Sequence, residues 1–160
     1  MRPMRRSEWE VTDYKQMLEF MEACDICRIG MRDGEGVYIL PLNFGYQEEN
    51  GKLVLYFHGA KEGKKIDLLR ENPNVSFEMD CKHKMTLANK DVACTYSFSY
   101  ASIMGHGTVS LITEPEHIQE GLQCVMRHYT QRSDWTFLDS AVNRVTVLRL
   151  EISDWSCKTR

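Results

Sequence analysis

The segment VYILPLNFGYQEENGKLVLYFHGAKEGKKIDLLREN, residues 37–72, sets how the rest of the chain is read. Its two apolar-rich runs, 37–47 and 52–58, flank Asn50-Gly51, a dipeptide that supplies the positive φ angles of a tight hairpin turn. They therefore predict a pair of antiparallel strands. Pro41 interrupts the first run and removes a ladder donor, so it predicts an edge strand or a bulge there. Upstream, a short apolar run over 26–31 leads into Asp33-Gly34, a second hairpin signal. Three consecutive antiparallel strands are thus expected. Downstream, Ile66 and Leu69 share one face of a short helix over 64–71, stopped by Asn72-Pro73.

Working outward, Ser7-Glu-Trp-Glu10 has the capping-box pattern, and Val11, Tyr14, Met17, Leu18 and Met21 recur at helical spacing. A first helix ending near Ala23 is expected. VSFEMD after Pro73 predicts a fourth strand, and YASIMGHGTVSLI, residues 100–112, a fifth, interrupted by Gly105 and Gly107. Residues 81–98 read as an irregular excursion. Thr113-Glu-Pro-Glu116 predicts another helix start, followed by the stripe Ile118, Leu122, Val125, Met126 and Tyr129. RVTVLRLEI, residues 144–152, predicts the last strand. Six strands and three helices with mostly hairpin connections predict a mainly β fold, an antiparallel barrel with peripheral helices, in a single domain over 1–160.

Composition narrows the function classes. The chain has 160 residues, 42% hydrophobic and 27% charged, with a net charge of −3. That balance gives no reason to expect nucleic acid or a membrane as partner. No run approaches the ~18 apolar residues of a transmembrane helix, and the basic start MRPMRRSEWE has no apolar segment behind it, so a cytoplasmic protein is expected. The six cysteines form no disulfide framework. Cys24-Asp-Ile-Cys27 lacks a second ligand pair of zinc spacing and follows a helical rather than a strand pattern, which makes it structural and predicts no metal. His83, His106, His117 and His128 share no ligand spacing and read as structural or solvated. No hydrolase, nucleotide-phosphatase or metalloprotease motif is present.

Two features remain to be explained. Gly63, Lys64 and Lys65 stand where a helix begins. There unpaired backbone N–H groups, the positive dipole end, a missing side chain and two cations make up a phosphate site; a solvated basic turn is the alternative. Asn43 sits between Leu42 and Phe44, where an amide suits a ring with alternating donors and acceptors or else simply faces water.

The segments 37–47 and 50–80, with MRR at the N-terminus and SYASIMGHGTV later, resemble the pyridoxamine 5′-phosphate oxidase-like flavoproteins, within them the 5-nitroimidazole resistance branch. The resemblance covers nearly the whole chain, and FHGAKEGKKID is its most specific block. It implies an FMN-binding split β-barrel and a homodimer with the flavin at the interface, FAD being possible. It further implies that Lys64 and Lys65 hold the flavin phosphate, that Leu40, Pro41, Leu42 and Asn43 run along the ring and ribityl chain, and that His58 and Gly59 flank the cofactor. Ser99 and Ser102 would lie near the second half of the site, with His58 as the active-site histidine. The C-terminal EISDWSCKTR does not match the arginine-rich signature of true pyridoxamine phosphate oxidases, and Cys157-Lys158 stands where relatives carry Gly-Lys. The activity expected is reduction of small electron-poor, nitro-aromatic-like compounds. A flavin carrier without turnover and a heme-binding split barrel are the alternatives.

Overall fold

The computed structural model describes residues 4–160; the first three residues of the basic start lie outside it. After a 3-10 turn at Ser7–Trp9, the elements are β1 (Glu10–Val11), α1 (Tyr14–Glu22), β2 (Cys27–Asp33), β3 (Gly36–Leu42), β4 (Gly45–Glu49), β5 (Lys52–Ala60) and α2 (Lys64–Glu71). Then come β6 (Asn74–Leu87), β7 (Tyr96–Ile112), α3 (Pro115–Thr130), α4 (Asp139–Val142) and β8 (Val145–Thr159). The strands form one antiparallel sheet in the order β3-β2-β6-β7-β8-β5-β4, with β1 pairing β8. The path has two ends. Among the described residues no ladder joins β3 to β4, so the expected barrel is not closed by hydrogen bonds.

Several boundaries differ from the sequence reading, each for a local reason. The first helix starts at Tyr14, because the Asp13 carboxylate accepts from the Gln16 N–H (2.8 Å) and out-competes the Ser7 pattern. Glu10 and Val11 join the sheet instead. The run 37–47 is two strands that bend at Asn43-Phe44: β3 pairs β2, while β4 pairs β5. Only part of 81–98 is irregular: 81–87 and 96–98 extend β6 and β7 into a long hairpin arm whose tip, 88–95, includes a 3-10 turn at Ala93–Thr95, with a register shift between Cys81 and Lys84 where Lys82 adopts φ 58°. The final strand continues past Ile152 to Thr159 because β7 and β1 still offer partners there. Pro41 does lie on an edge strand, as its missing N–H requires.

Alternation along the strands separates two faces. The inner face buries Ile29, Met31, Phe77, Met79, Ile103, Leu148 and Leu150 with α1 and α2 packed onto the same core. A second cluster, including Val54, Tyr56, Ile118 and Val125, lies under α3. The outer face leaves Val37, Ile39 and Met104 largely exposed (68%, 63% and 59%). On the arm, Met85 pairs Phe98 and Leu87 pairs Tyr96, and these four exposed side chains continue that outer face. No helix is long and apolar enough to cross a membrane among the described residues.

α3 fixes the bend between β3 and β4. Phe44 is fully buried with its ring 4.4 Å from that of His128, and the Tyr129 hydroxyl accepts from the Phe44 N–H (3.1 Å). Gly45 follows because a Cβ there would collide with the Cys124 and Val125 backbone. Gly45→Ala should therefore lose about 1–3 kcal/mol of stability in urea unfolding, as overpacking does. Gly36→Ala, whose Cβ would find ordinary contact 3.5 Å from the Asp33 carbonyl, should change stability by no more than about 0.5 kcal/mol.

Candidate functional site

The cationic turn is shaped by two glycines. Gly63 adopts φ 116°, ψ 169°, a conformation open in practice only to glycine, and its carbonyl accepts from the N–H groups of Ile66 (2.8 Å) and Asp67 (3.2 Å). No side chain caps α2. The N–H groups of Lys64 and Lys65 therefore point out of the helix without helical acceptors, at its positive end.

The two lysines diverge from there. Lys64 Nζ lies 2.6 Å from the Asp33 carboxylate and 5.0 Å from the Tyr38 ring centroid, against the β2–β3 hairpin. Lys65 lies across β5 at Gly59, where a Cβ would overlap its Nζ and come within 2.7 Å of its Cε. A side chain at position 59 would have to push aside the flexible end of Lys65. The first turn of α2 bridges β3 on one side and the end of β5 on the other. β4 leaves β5 after the Gly45–Tyr56 pair, so residues 57–60 keep ladder partners only in β8.

Other expected residues border the same region. Leu40 and Leu42 are half-buried and pack on the core together with Tyr38, whereas Pro41 points to the outer face beside Ile39. Asn43 is exposed at the bend. His58 is exposed at the surface, yet partial desolvation, and then the Lys65 charge, hold its pKa below the ordinary histidine value. The neutral imidazole is therefore its resting form at neutral pH, which suits accepting a hydrogen bond better than acting as a standing acid.

Ser99 and Ser102 lie elsewhere in the same chain. The Ser99 hydroxyl donates to the Lys84 carbonyl (3.1 Å) on the hairpin arm, and Ser102 stands opposite Asp80 and Lys158. Asp80 is six residues along β6 from Asn74, where β6 begins near the β2–β3 turn, a separation of about 20 Å. One chain does not bring these serines to the lysines.

Sequence reasoning missed Asp33 and Tyr38, the partners of Lys64; Asp33 reads as turn chemistry, and only its position across the hairpin mouth gives it a second task. It also missed an outer-face cavity of about 530 Å³ lined by Gly30, Val37, Ser76, His106, Thr108 and Ser153. His106 is exposed there, and His128 is buried with Nε2 2.8 Å from the Cys24 carbonyl. Cys24 and Cys27 are both buried, and burial pushes both thiols well up, so neither is a thiolate. The Cys24 thiol donates to the Phe20 carbonyl (3.2 Å), and its sulfur neighbour is Cys81 rather than Cys27.

Comparison with known proteins agrees with this architecture. The model of the pyridoxamine 5′-phosphate oxidase family matches residues 13–159. A candidate 5-nitroimidazole antibiotic resistance protein from Bacteroides thetaiotaomicron is 30% identical, covering 94% of this chain and 86% of that one, with a TM-score of 0.79. A flavocytochrome from Azotobacter vinelandii (18% identity, 99% and 72% covered, TM-score 0.78) and the FAD and heme binding protein from Mycobacterium smegmatis (16%, 94% and 72%, 0.77) share the fold. No curated protein matches the chain.

The electrostatics of His58 can be read directly. An NMR titration should place its midpoint below 6.5, and Lys65→Ala should raise it only in part, because desolvation is the larger cause. An ordinary midpoint unaffected by Lys65→Ala would show that the two side chains are not neighbours in solution.

Proposed function

The chain belongs to the pyridoxamine 5′-phosphate oxidase family, and on that basis we propose that it is a homodimeric flavoprotein that binds FMN at the α2 turn and reduces small electron-poor compounds. The observation that carries this reading is the uncapped N-terminus of α2, with Gly63 bare and Lys64 and Lys65 held between β3 and β5. A phosphate there meets free N–H groups, the helix dipole and two cations at once. FAD offers the same phosphate and is the alternative cofactor.

When bound, the flavin supplies the redox chemistry, and the protein supplies binding, orientation and exclusion of water. Lys64, steadied by Asp33 and Tyr38, and Lys65, laid across Gly59, hold the phosphate end. Leu40 and Leu42 supply apolar cover, and the Asn43 amide at the bend supplies a donor and an acceptor. His58, neutral at rest, hydrogen-bonds the cofactor or substrate and passes a proton only when one is delivered to it.

Dimerisation follows from the outer face. Val37, Ile39, Met104 and the arm residues Met85, Leu87, Tyr96 and Phe98 form an exposed apolar surface of the kind that marks an interface. A second copy laid on it would cover those side chains and bring the partner's Ser99 and Ser102 toward the lysine end of the first chain. A small nitro-aromatic-like substrate would enter where the two copies meet, in the cytoplasm.

Losing two charge-assisted contacts of about 1.5–3 kcal/mol each should weaken FMN binding by a few powers of ten in Lys64→Ala/Lys65→Ala. Riboflavin, which has no phosphate, should lose far less, as fluorescence quenching would show; equal FMN affinity in both proteins would refute the phosphate assignment. Ile39→Lys/Met104→Lys should convert the dimer to monomer in light scattering and lower flavin content together. A double variant that stays dimeric would move the interface elsewhere.

A further inference from the structure

A second cluster of cations lies at the opposite end of the sheet. The charged heads of Arg6, Lys158 and Arg160 stand 5.0, 4.9 and 4.7 Å from the Trp9 ring centroid, and Lys158 is also 5.9 Å from the Tyr100 ring. An indole attracts one cation readily. Three on one ring repel each other, and the arrangement leaves a concentrated positive field.

Several cations elsewhere are paired with carboxylates. Arg28 meets Glu78 and Asp80, Arg149 meets Glu49 and Glu151, Lys52 meets Glu151, Arg132 meets Asp134 and Lys64 meets Asp33. At Trp9 only Arg6 has a carboxylate, that of Glu8 at 3.0 Å. Among the described residues none lies within 4.0 Å of Lys158 or Arg160, although the sequence carries 23 acidic residues to 20 basic ones.

The cluster is also built from three distant segments that the backbone holds in place. Arg160 and Tyr100 exchange two backbone hydrogen bonds (3.0 and 3.2 Å), and the Thr159 hydroxyl donates to the Tyr100 carbonyl (3.1 Å). Lys158 is in register with Ser102 on one side and Glu10 on the other, and the Trp9 N–H donates to the Arg6 carbonyl (3.1 Å). A solvated tail would show none of this.

From this we infer that Arg6, Lys158 and Arg160, gathered on Trp9, form a second anion subsite that receives the phosphate of a nucleotide. Guanidinium forks and an ammonium match phosphate oxygens, and Tyr100 and Trp9 offer flat surfaces to a base. Two sources share this chemistry: a separate nucleotide serving as electron donor, or the adenylate half of FAD. The role as donor site rests on the proposed flavin function; the binding does not.

The test uses FMN-loaded protein, with flavin occupancy measured in every sample. By calorimetry, ADP should bind wild type with an affinity that falls with salt, and adenosine at least about tenfold more weakly. Lys158→Ala/Arg160→Ala should weaken ADP about 100-fold at unchanged flavin content, and Arg160→Gln, with an intact thermal melt, should weaken it about tenfold. A reduced pyridine nucleotide that follows the same pattern assigns the subsite to a donor. An FAD-over-FMN preference in apoprotein that the double variant abolishes assigns it to the cofactor. Full flavin occupancy with no ADP binding, or ADP binding that the variants leave unchanged, overturns the inference while leaving the flavin reading intact.

Discussion

The site depends on the chain turning away from β2 at Asn43-Phe44. A continuous strand over 37–47 would satisfy its own apolar pattern, but burying the Phe44 ring against His128 and seating Gly45 on the α3 backbone stabilise the bend instead. Burial of a phenylalanine side chain contributes about 1.5–3 kcal/mol, more than the loss of one exposed ladder bond costs. Once β4 follows β5, β3 is left as an edge and the last residues of β5 lose a neighbour. α2 then sets its first turn between the two, with Lys64 on one side and Lys65 on the other.

Much of this was legible in the residues. Asn50-Gly51 and Asp33-Gly34 mark the hairpins because their turns need positive φ, and both glycines adopt it. Pro41 announced an edge because it lacks an N–H. Gly63 announced a helix start, and it adopts a backbone conformation that only glycine takes readily.

What stayed hidden depends on long-range pairing. The bend at Asn43-Phe44 is set by α3, some eighty residues away: Asn43 and Gly45 stand at the place, but nothing local shows that Phe44 and Gly45 seat against that helix. The arm over 81–98 looks polar and irregular because its two strands have no covering layer; only their mutual register shows Met85, Leu87, Tyr96 and Phe98 sharing a face. Cys157-Lys158 stands where relatives carry Gly-Lys, and only the pairing of β8 with β1 and β7 shows Lys158 beside Trp9 and Tyr100. The resemblance implies that Ser99 and Ser102 lie near the second half of the site; in one chain Ser102 stands about 20 Å along the sheet from the lysine end, and Ser99 farther out on the arm. A second copy is the simplest way to reconcile the two.

The central claim is that this chain carries a flavin, and the absorption spectrum of the purified protein tests it most directly. The account predicts flavin bands near neutral pH that bleach on reduction and return in air, with the released cofactor identified as FMN. A Soret band, or a protein with no visible absorption that also fails to take up added FMN or FAD, would contradict it.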